Sequence, residues 1–226
     1  MRQYTAEKYE NQVEHIDNPV MQHWMQTERD FIARTPDAQS RTFVDLGAGY
    51  GRIVGNLAGV GKDVIAIEIN PEMYTELEQR ASQYSNVTSL QGDFLHLDEL
   101  LASRPLSKPV FVIAQNSLGT IEGGDYSEVL GVVKSVAQKY GGELVLSLLR
   151  AGALKDWGIQ QLYSKISDMV GELDPDATDT DKGLFVSKTG YTSKWWTDTD
   201  IEQLKGLGQV ADEVVEPKFQ LLRLSF

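Results

Sequence analysis

The segment Phe43-Val44-Asp45-Leu46-Gly47-Ala48-Gly49-Tyr50-Gly51-Arg52-Ile53 runs from an apolar stretch into a loop with glycine at every second position. Glycine lets backbone N–H groups come close to a ligand, and this loop is predicted to open onto a helix N-terminus. By itself the loop could equally be a tight strand-to-helix turn. Further along, Glu68 follows the apolar run Val64-Ile65-Ala66-Ile67. A carboxylate there can accept hydrogen bonds from the two hydroxyls of a ribose; the plainer alternative is a solvated strand end. Gly92-Asp93-Phe94 follows a third run, Val87 to Leu90. Asp93 can accept from an adenine amine, with Phe94 offering a backbone N–H and an apolar wall, or it can simply cap a short helix running to Leu101. A fourth run ends in Ala114-Gln115-Asn116-Ser117-Leu118-Gly119-Thr120. Asn116 there reads either as a ligand contact or as a turn residue.

These residues need elements that bring four loops to one place. Five short apolar runs are predicted as strands: Thr42 to Leu46, Val64 to Ile67, Val87 to Leu90, Val110 to Ala114 and Leu144 to Leu148. Near-continuous apolar strands point to a parallel sheet covered on both faces. Between them lie helical patterns. Asn70 caps and Pro71 opens a helix carrying Met73, Leu77 and Ala81, and Asp125 precedes a helix carrying Val129, Val132, Val133, Val136 and Tyr140, stopped by Gly141-Gly142. Alternation of this kind implies right-handed crossovers and a doubly wound α/β fold. Earlier in the chain, Met21, Trp24, Met25, Glu28 and Ile32 predict an amphipathic helix. Leu154 to Val170 is expected to be helical, Gly183 to Trp196 to form two short extended segments, and Thr197 to Leu207 to be a helix opened by a Thr197–Asp200 capping box. A hairpin of Val210 to Val215 and Phe219 to Phe226 is expected to close the fold.

With the strand ends in this order, Asp45-Leu46-Gly47-Ala48-Gly49-Tyr50-Gly51 resembles the glycine-rich first motif of class I S-adenosylmethionine-dependent methyltransferases. Glu68 is similar to their acid after the second strand, and Gly92-Asp93-Phe94 to their adenine-contacting motif. The resemblance covers Thr42 to roughly Leu149 and implies a mostly parallel seven-stranded sheet with helices on both faces and an antiparallel C-terminal strand. The cofactor it implies is S-adenosylmethionine. Gly47, Ala48 and Gly49 would pack against its methionine part, and Asp45 would hold the loop and the cofactor's amino group through water. Glu68 would hold the ribose, Asp93 and Phe94 the adenine, and Gln115 and Asn116 would pass beside the methyl group. Small-molecule members often carry Asn-Ser-aromatic-Gly at this last position, from which Leu118 departs. The segment does not match Asn-Pro-Pro-Tyr, found in many DNA and protein methyltransferases.

Composition bounds the rest. The 226 residues suit one domain, 1–226, divided into an N-terminal helical cap (1–40), a cofactor-binding core (41–149), an insertion expected to act as substrate lid (150–196) and a closing helix and hairpin (197–226). The net charge of -12, with no Lys/Arg cluster, disfavours a nucleic-acid partner and points to a small-molecule acceptor. No apolar run is long enough for a membrane span and the N-terminus lacks a signal-peptide pattern, so a cytoplasmic protein is expected. The absence of cysteine excludes disulfides, and no metal is expected. His15, His23 and His96 read as structural or solvated; Asp174, Asp176, Asp179 and Asp181 lack the Gly and distal Glu of a calcium loop. The insertion carries Trp157, Tyr163, Phe185, Tyr191, Trp195 and Trp196, for most of which core packing is the ordinary role. Tyr4 and Tyr9 are further candidates to reach the site. A nicotinamide-dependent oxidoreductase shares the loop and the acid, but Arg52 stands where Gly-x-Gly-x-x-Gly needs its last small residue. A non-catalytic adenosyl-ligand-binding protein on the same fold is the other alternative. No catalytic residue and no oligomeric state are legible.

Overall fold

The computed structural model describes residues 10, 16–121, 124 and 126–226. Tyr4, Tyr9, His15 and Asp125, the last expected to cap a helix, lie outside them. The main sheet has seven strands: β1 (Thr42–Leu46), β2 (Asp63–Glu68), β3 (Val87–Gln91), β4 (Val110–Ile113), β5 (Glu143–Leu149), β8 (Gln209–Val215) and β9 (Phe219–Ser225), in the order β3-β2-β1-β4-β5-β9-β8. The first five pair in parallel, and β9 enters antiparallel to both β5 and β8. β6 (Leu184–Val186) and β7 (Thr192–Lys194) form a separate small antiparallel pair.

Alternate residues of each strand feed two cores, as the period of a strand demands. Phe43, Val64, Val110, Val112, Val145 and Leu221 face one side, with α1 (Pro19–Ala33), α2 (Val54–Val60) and the insertion. Val44, Ile65, Phe111, Leu146 and Leu222 face the other, with α4 (Leu97–Leu101), α5 (Tyr126–Tyr140) and α7 (Asp198–Lys205). α3 (Pro71–Ala81) starts as predicted, with Asn70 accepting from the Glu72 and Met73 amides and Pro71 at its first turn. α7 opens with the expected reciprocal Thr197–Asp200 capping box. Two expectations are refined. β3 is only partly buried because it is the sheet edge, covered less than its neighbours. The stretch from Leu154 is not one α-helix. It is a π-helical segment, Leu154–Tyr163, followed after a turn by the short α6 (Ser167–Val170).

α1 is fastened to the sheet at both ends. Its N-cap Asn18 accepts from the Val20 and Met21 amides, and Trp24 Nε1 donates to Ser147 Oγ of β5 at 2.9 Å. At its C-terminal end, Arg223 of β9 donates to the Phe31 carbonyl at 2.8 Å and to Thr35 Oγ1. Glu143 bridges Arg223 and Arg41 at the amino ends of the parallel strands. Removing one partner of such a buried ionic cluster leaves the rest uncompensated. Arg223→Met is therefore expected to cost on the order of 3 kcal/mol in urea unfolding. A loss below experimental error would mean that α1 is not held by this cluster.

Candidate functional site

Strands β1, β2, β3 and β4 point their carboxyl ends toward one cavity of about 630 Å³, where open α/β sheets bind ligands. That is room for a nucleoside-sized molecule. Asp45, Gly47, Ala48, Gly49, Glu68, Asp93, Phe94 and Gln115 all line it. Residues up to 70 positions apart in sequence are thus gathered by topology alone.

The glycine loop works differently from the sequence expectation. Its amides do not face a ligand: Gly47 and Ala48 N–H both donate to the Ile67 carbonyl, and Gly49 N–H donates to Glu68 Oε2 at 2.8 Å. The loop is stitched to the end of β2, and what it offers is close approach. Gly49 sits at φ +57° with open space where a side chain would stand, a conformation β-branched residues resist. The other oxygen of Glu68 accepts from Asn70 N at 2.8 Å. Burial raises the Glu68 carboxyl above its ordinary range, against hydrogen bonds from the Asn70, Gly49 and Ile69 amides. Asp93 acts as a cap, its Oδ1 accepting from the Leu95 amide, and the residue also lines the cavity; the Phe94 ring lies against Gly47.

Beneath the loop lies a charge cluster that the sequence did not single out. Glu28 of α1 is buried and accepts from Arg52 and from the Gln115 backbone N–H, the latter at 2.7 Å. Asp45 is also buried, and its Oδ2 has no hydrogen-bond partner. Burial pushes the Asp45 carboxyl up to about 7; Arg52 opposes this, and Glu28 and Glu68 add to it. Glu28 was legible only as a carboxylate on the apolar face of a predicted helix, among Met21, Trp24, Met25 and Ile32.

Residues 43–141 match the family model described as a methyltransferase domain. They contain the loop and every lining residue named above. That stretch is a methyltransferase domain. The chain is 28% identical over 150 residues to the ribosomal RNA small subunit methyltransferase A of Trichormus variabilis, covering 64% of this chain and 53% of the relative. The chain thus spans about half of that protein's length. In fold it is similar to the PH0226 protein of Pyrococcus horikoshii (TM-score 0.68, 18% identity, 98% of this chain and 99% of that one). It is also similar to the N-methyltransferase NodS of Bradyrhizobium japonicum in complex with S-adenosyl-L-homocysteine (TM-score 0.60, 16% identity, 97% and 96%).

Within the methyltransferase domain, Asn116 corrects the sequence reading. Expected beside the cofactor, its side chain is instead spent on the protein. Oδ1 accepts from Trp196 Nε1 and from Leu149 N, and Nδ2 donates to the Lys194 carbonyl at 3.0 Å. It ties β4 to β5 and to the insertion, and it lies outside the large cavity. Gln115 and Asn116 are both left-handed, at φ 47° and 57°, which is costly for residues other than glycine. Gly119 has no space for a side chain because the Lys194 carbonyl lies directly against it. The insertion's aromatics are mostly core. Trp157, Tyr163, Phe185, Trp195 and Trp196 are buried, the Tyr163 and Phe185 rings stack at 3.7 Å, and Trp195 Nε1 donates to Tyr163 Oη. His96 is exposed and His23 lies 3.6 Å from Glu216. Asp174 accepts from the Asp176 and Ala177 amides and Asp179 pairs with Lys182; no group of metal-binding side chains occurs among the described residues. No described helix is long and apolar enough to cross a membrane.

Glu28 and Asp45 are electrostatically coupled, so replacing one must move the other. In Glu28→Gln a neighbouring negative charge is gone and Arg52 is released toward Asp45. The Asp45 carboxyl is expected to titrate below its value of about 7, read by carboxyl carbon NMR. An unmoved midpoint would show that the two acids do not sense each other.

Proposed function

We propose that the chain is an S-adenosylmethionine-dependent methyltransferase that passes a methyl group by direct displacement to a small-molecule acceptor. The observation that carries this is the unpartnered, buried Asp45 Oδ2 in a cavity lined by three carboxylates, Asp45, Glu68 and Asp93. Its one lining cation among the described residues, Arg52, is bound to Glu28. A net negative cavity suits a ligand that carries positive charge. The donor set fits the cofactor: Asp45 for its amino group, Glu68 for ribose hydroxyls, Asp93 and Phe94 for adenine, and Gly47, Ala48 and Gly49 for close approach. When bound, S-adenosylmethionine supplies a methyl group already activated on a positive sulfur. The protein's part is then to align the acceptor and exclude water, and a base is needed only for a protonated acceptor. In this reading 1–40 caps the site, 41–149 holds the cofactor, 150–196 is the acceptor lid and 197–226 closes the sheet.

The resemblance to a ribosomal RNA methyltransferase favours a second reading, an RNA acceptor. Against it stands the net charge of -12, which repels a phosphate backbone. Turnover on ribosomal RNA against a panel of small amines, phenols, carboxylates and heterocycles separates the two. It also separates either from a non-catalytic ligand-binding role.

The first test is calorimetric binding of S-adenosylhomocysteine, with NAD as control. Binding of the first alone is expected. Glu68→Ala and Asp93→Ala should each weaken it at least about tenfold, the loss of a charge-assisted hydrogen bond, and Gly49→Val should abolish it. Unchanged affinity in all three folded variants would refute the site, and NAD binding instead would favour the oxidoreductase.

Asp45 gives a pH signature. Its ionised form holds an ammonium, so affinity should rise as pH increases through about 7 and stay flat in Asp45→Asn. Stability runs the other way. The folded carboxyl titrates above its unfolded value of 3.8, so its stability contribution is complete below that value and is lost as pH rises through about 7. Asp45→Asn should therefore gain in melting temperature over the native chain at alkaline pH and not at pH 4. Parallel melting curves across pH would refute the assignment.

A further inference from the structure

A second cavity, of about 120 Å³, adjoins the first and shares Gln115, Ser117 and Thr120 with it. Its walls come from α1 (Met21, Trp24), from the insertion (Leu162, Tyr163, Ile166, Met169, Val170) and from Tyr191 and Ser193. A cavity of this size holds about one six-membered ring.

The chemistry of the walls is restrictive. No Asp, Glu, Lys, Arg or His lines this cavity among the described residues. The two titratable groups are Tyr163 and Tyr191. Burial holds the Tyr163 hydroxyl well above its ordinary range, so it stays protonated, and it already accepts from Trp195 Nε1. Trp24 Nε1 is spent on Ser147 and the Asn116 amide on Trp196, Leu149 and Lys194. A carboxylate entering here would meet no cation, and an ammonium no carboxylate; either would be desolvated without compensation. An alcohol, phenol or ammonium would also find no base to take its proton before attack. What remains is an uncharged acceptor whose lone pair needs no deprotonation, and the aromatic lining of Trp24, Tyr163 and Tyr191 favours a flat ring.

Resting on the methyltransferase reading, we propose that this cavity is the acceptor subsite and that it takes a neutral nitrogen heteroaromatic ring of pyridine or imidazole type, alone or as the end of a larger molecule. The ring nitrogen's lone pair forms the new bond to the methyl carbon while the carbon–sulfur bond breaks and its electron pair stays on sulfur. The positive charge passes from sulfur to the ring, and no proton is released. Trp24, Tyr163 and Tyr191 line the cavity with aromatic rings, whose chemistry suits a flat ring and its cationic product.

The test is ligand-observed NMR of pyridine, phenol, benzoate and benzylamine on the full chain saturated with S-adenosylhomocysteine, whose own binding is measured separately. Pyridine is expected to bind at least tenfold tighter than benzoate and benzylamine. Its affinity should fall as pH drops through pyridine's own pKa. Ile166→Phe and Met169→Trp, which fill the cavity, should abolish the pyridine signal while S-adenosylhomocysteine binding, which also reports folding, is retained. Charged rings binding as well as pyridine would overturn the proposal, as would pyridine binding that survives both filled variants. S-adenosylhomocysteine binding without any ring binding sinks this inference alone. Failure of S-adenosylhomocysteine to bind sinks the methyltransferase reading beneath it.

Discussion

Glu28 is a carboxylate with almost no solvent contact, and taking such a charge out of water costs several kcal/mol. That cost is offset by two donors from different parts of the chain: the Arg52 guanidinium just past the glycine loop, and the Gln115 backbone N–H at the end of β4. The pairing sets α1, the loop after β1 and the loop after β4 at fixed distances from one another. Gln115 and Asn116 are held left-handed, a conformation that costs roughly 1–2 kcal/mol per residue and persists only where surrounding contacts over-determine it. Glu28 from below and the Asn116 side-chain hydrogen bonds from the side do that. Both cavities border this turn, so the same carboxylate shapes each of them.

The acids around the large cavity are arranged by difference as much as by proximity. Glu28 is compensated by Arg52. Glu68 is partly compensated by three backbone amides, those of Asn70, Gly49 and Ile69, whose hydrogen bonds draw its carboxyl back down. Asp45 is left with an empty oxygen and a carboxyl at about 7. Of the three acids, Asp45 is the one whose hydrogen-bonding capacity is unspent. A cationic group placed there would gain a partner that the protein has not supplied.

Much of this was legible in the sequence, and what was not shares one cause. The glycine loop, Glu68 and Asp93-Phe94 each follow an apolar strand, and a parallel sheet brings successive strand ends together regardless of the distance between them in sequence. The strand pattern therefore located the cavity. Side-chain commitments across the fold were not readable. Asn116 looked available because nothing in its neighbourhood in sequence shows that Leu149, Lys194 and Trp196 will converge on it. The loop amides looked available because glycine at alternate positions does not disclose that the Ile67 carbonyl and Glu68 will claim them. Glu28 lay in a helix whose other face residues are apolar, and one acid in that stripe was the only sign. The π-helical geometry of Leu154–Tyr163 leaves no mark in a pattern of apolar spacing that an α-helix also satisfies.

The family match and the small neutral cavity bear largely on different parts of the molecule. The family match spans residues 43–141, the strands and loops that surround the large cavity. Most of the small cavity's walls lie outside that stretch, chiefly in α1 and in the insertion. The family match speaks to what is held in the first region; the match to the ribosomal RNA relative runs over 150 residues and extends beyond that stretch, but at 28% identity it leaves the second region free to differ. Charge adds an independent argument. An RNA substrate must approach along its phosphates, and a protein with 33 acidic and 21 basic residues gains nothing from counterion release unless its cations are gathered on one face. Four cations of the insertion are engaged in ion pairs, Arg150 with Asp198, Lys182 with Asp179, Lys188 with Glu172 and Lys194 with Asp200, and Lys165 donates to the Asp17 carbonyl. An uncharged acceptor avoids this electrostatic opposition, and the aromatic walls contributed by α1 and the insertion match it in polarity.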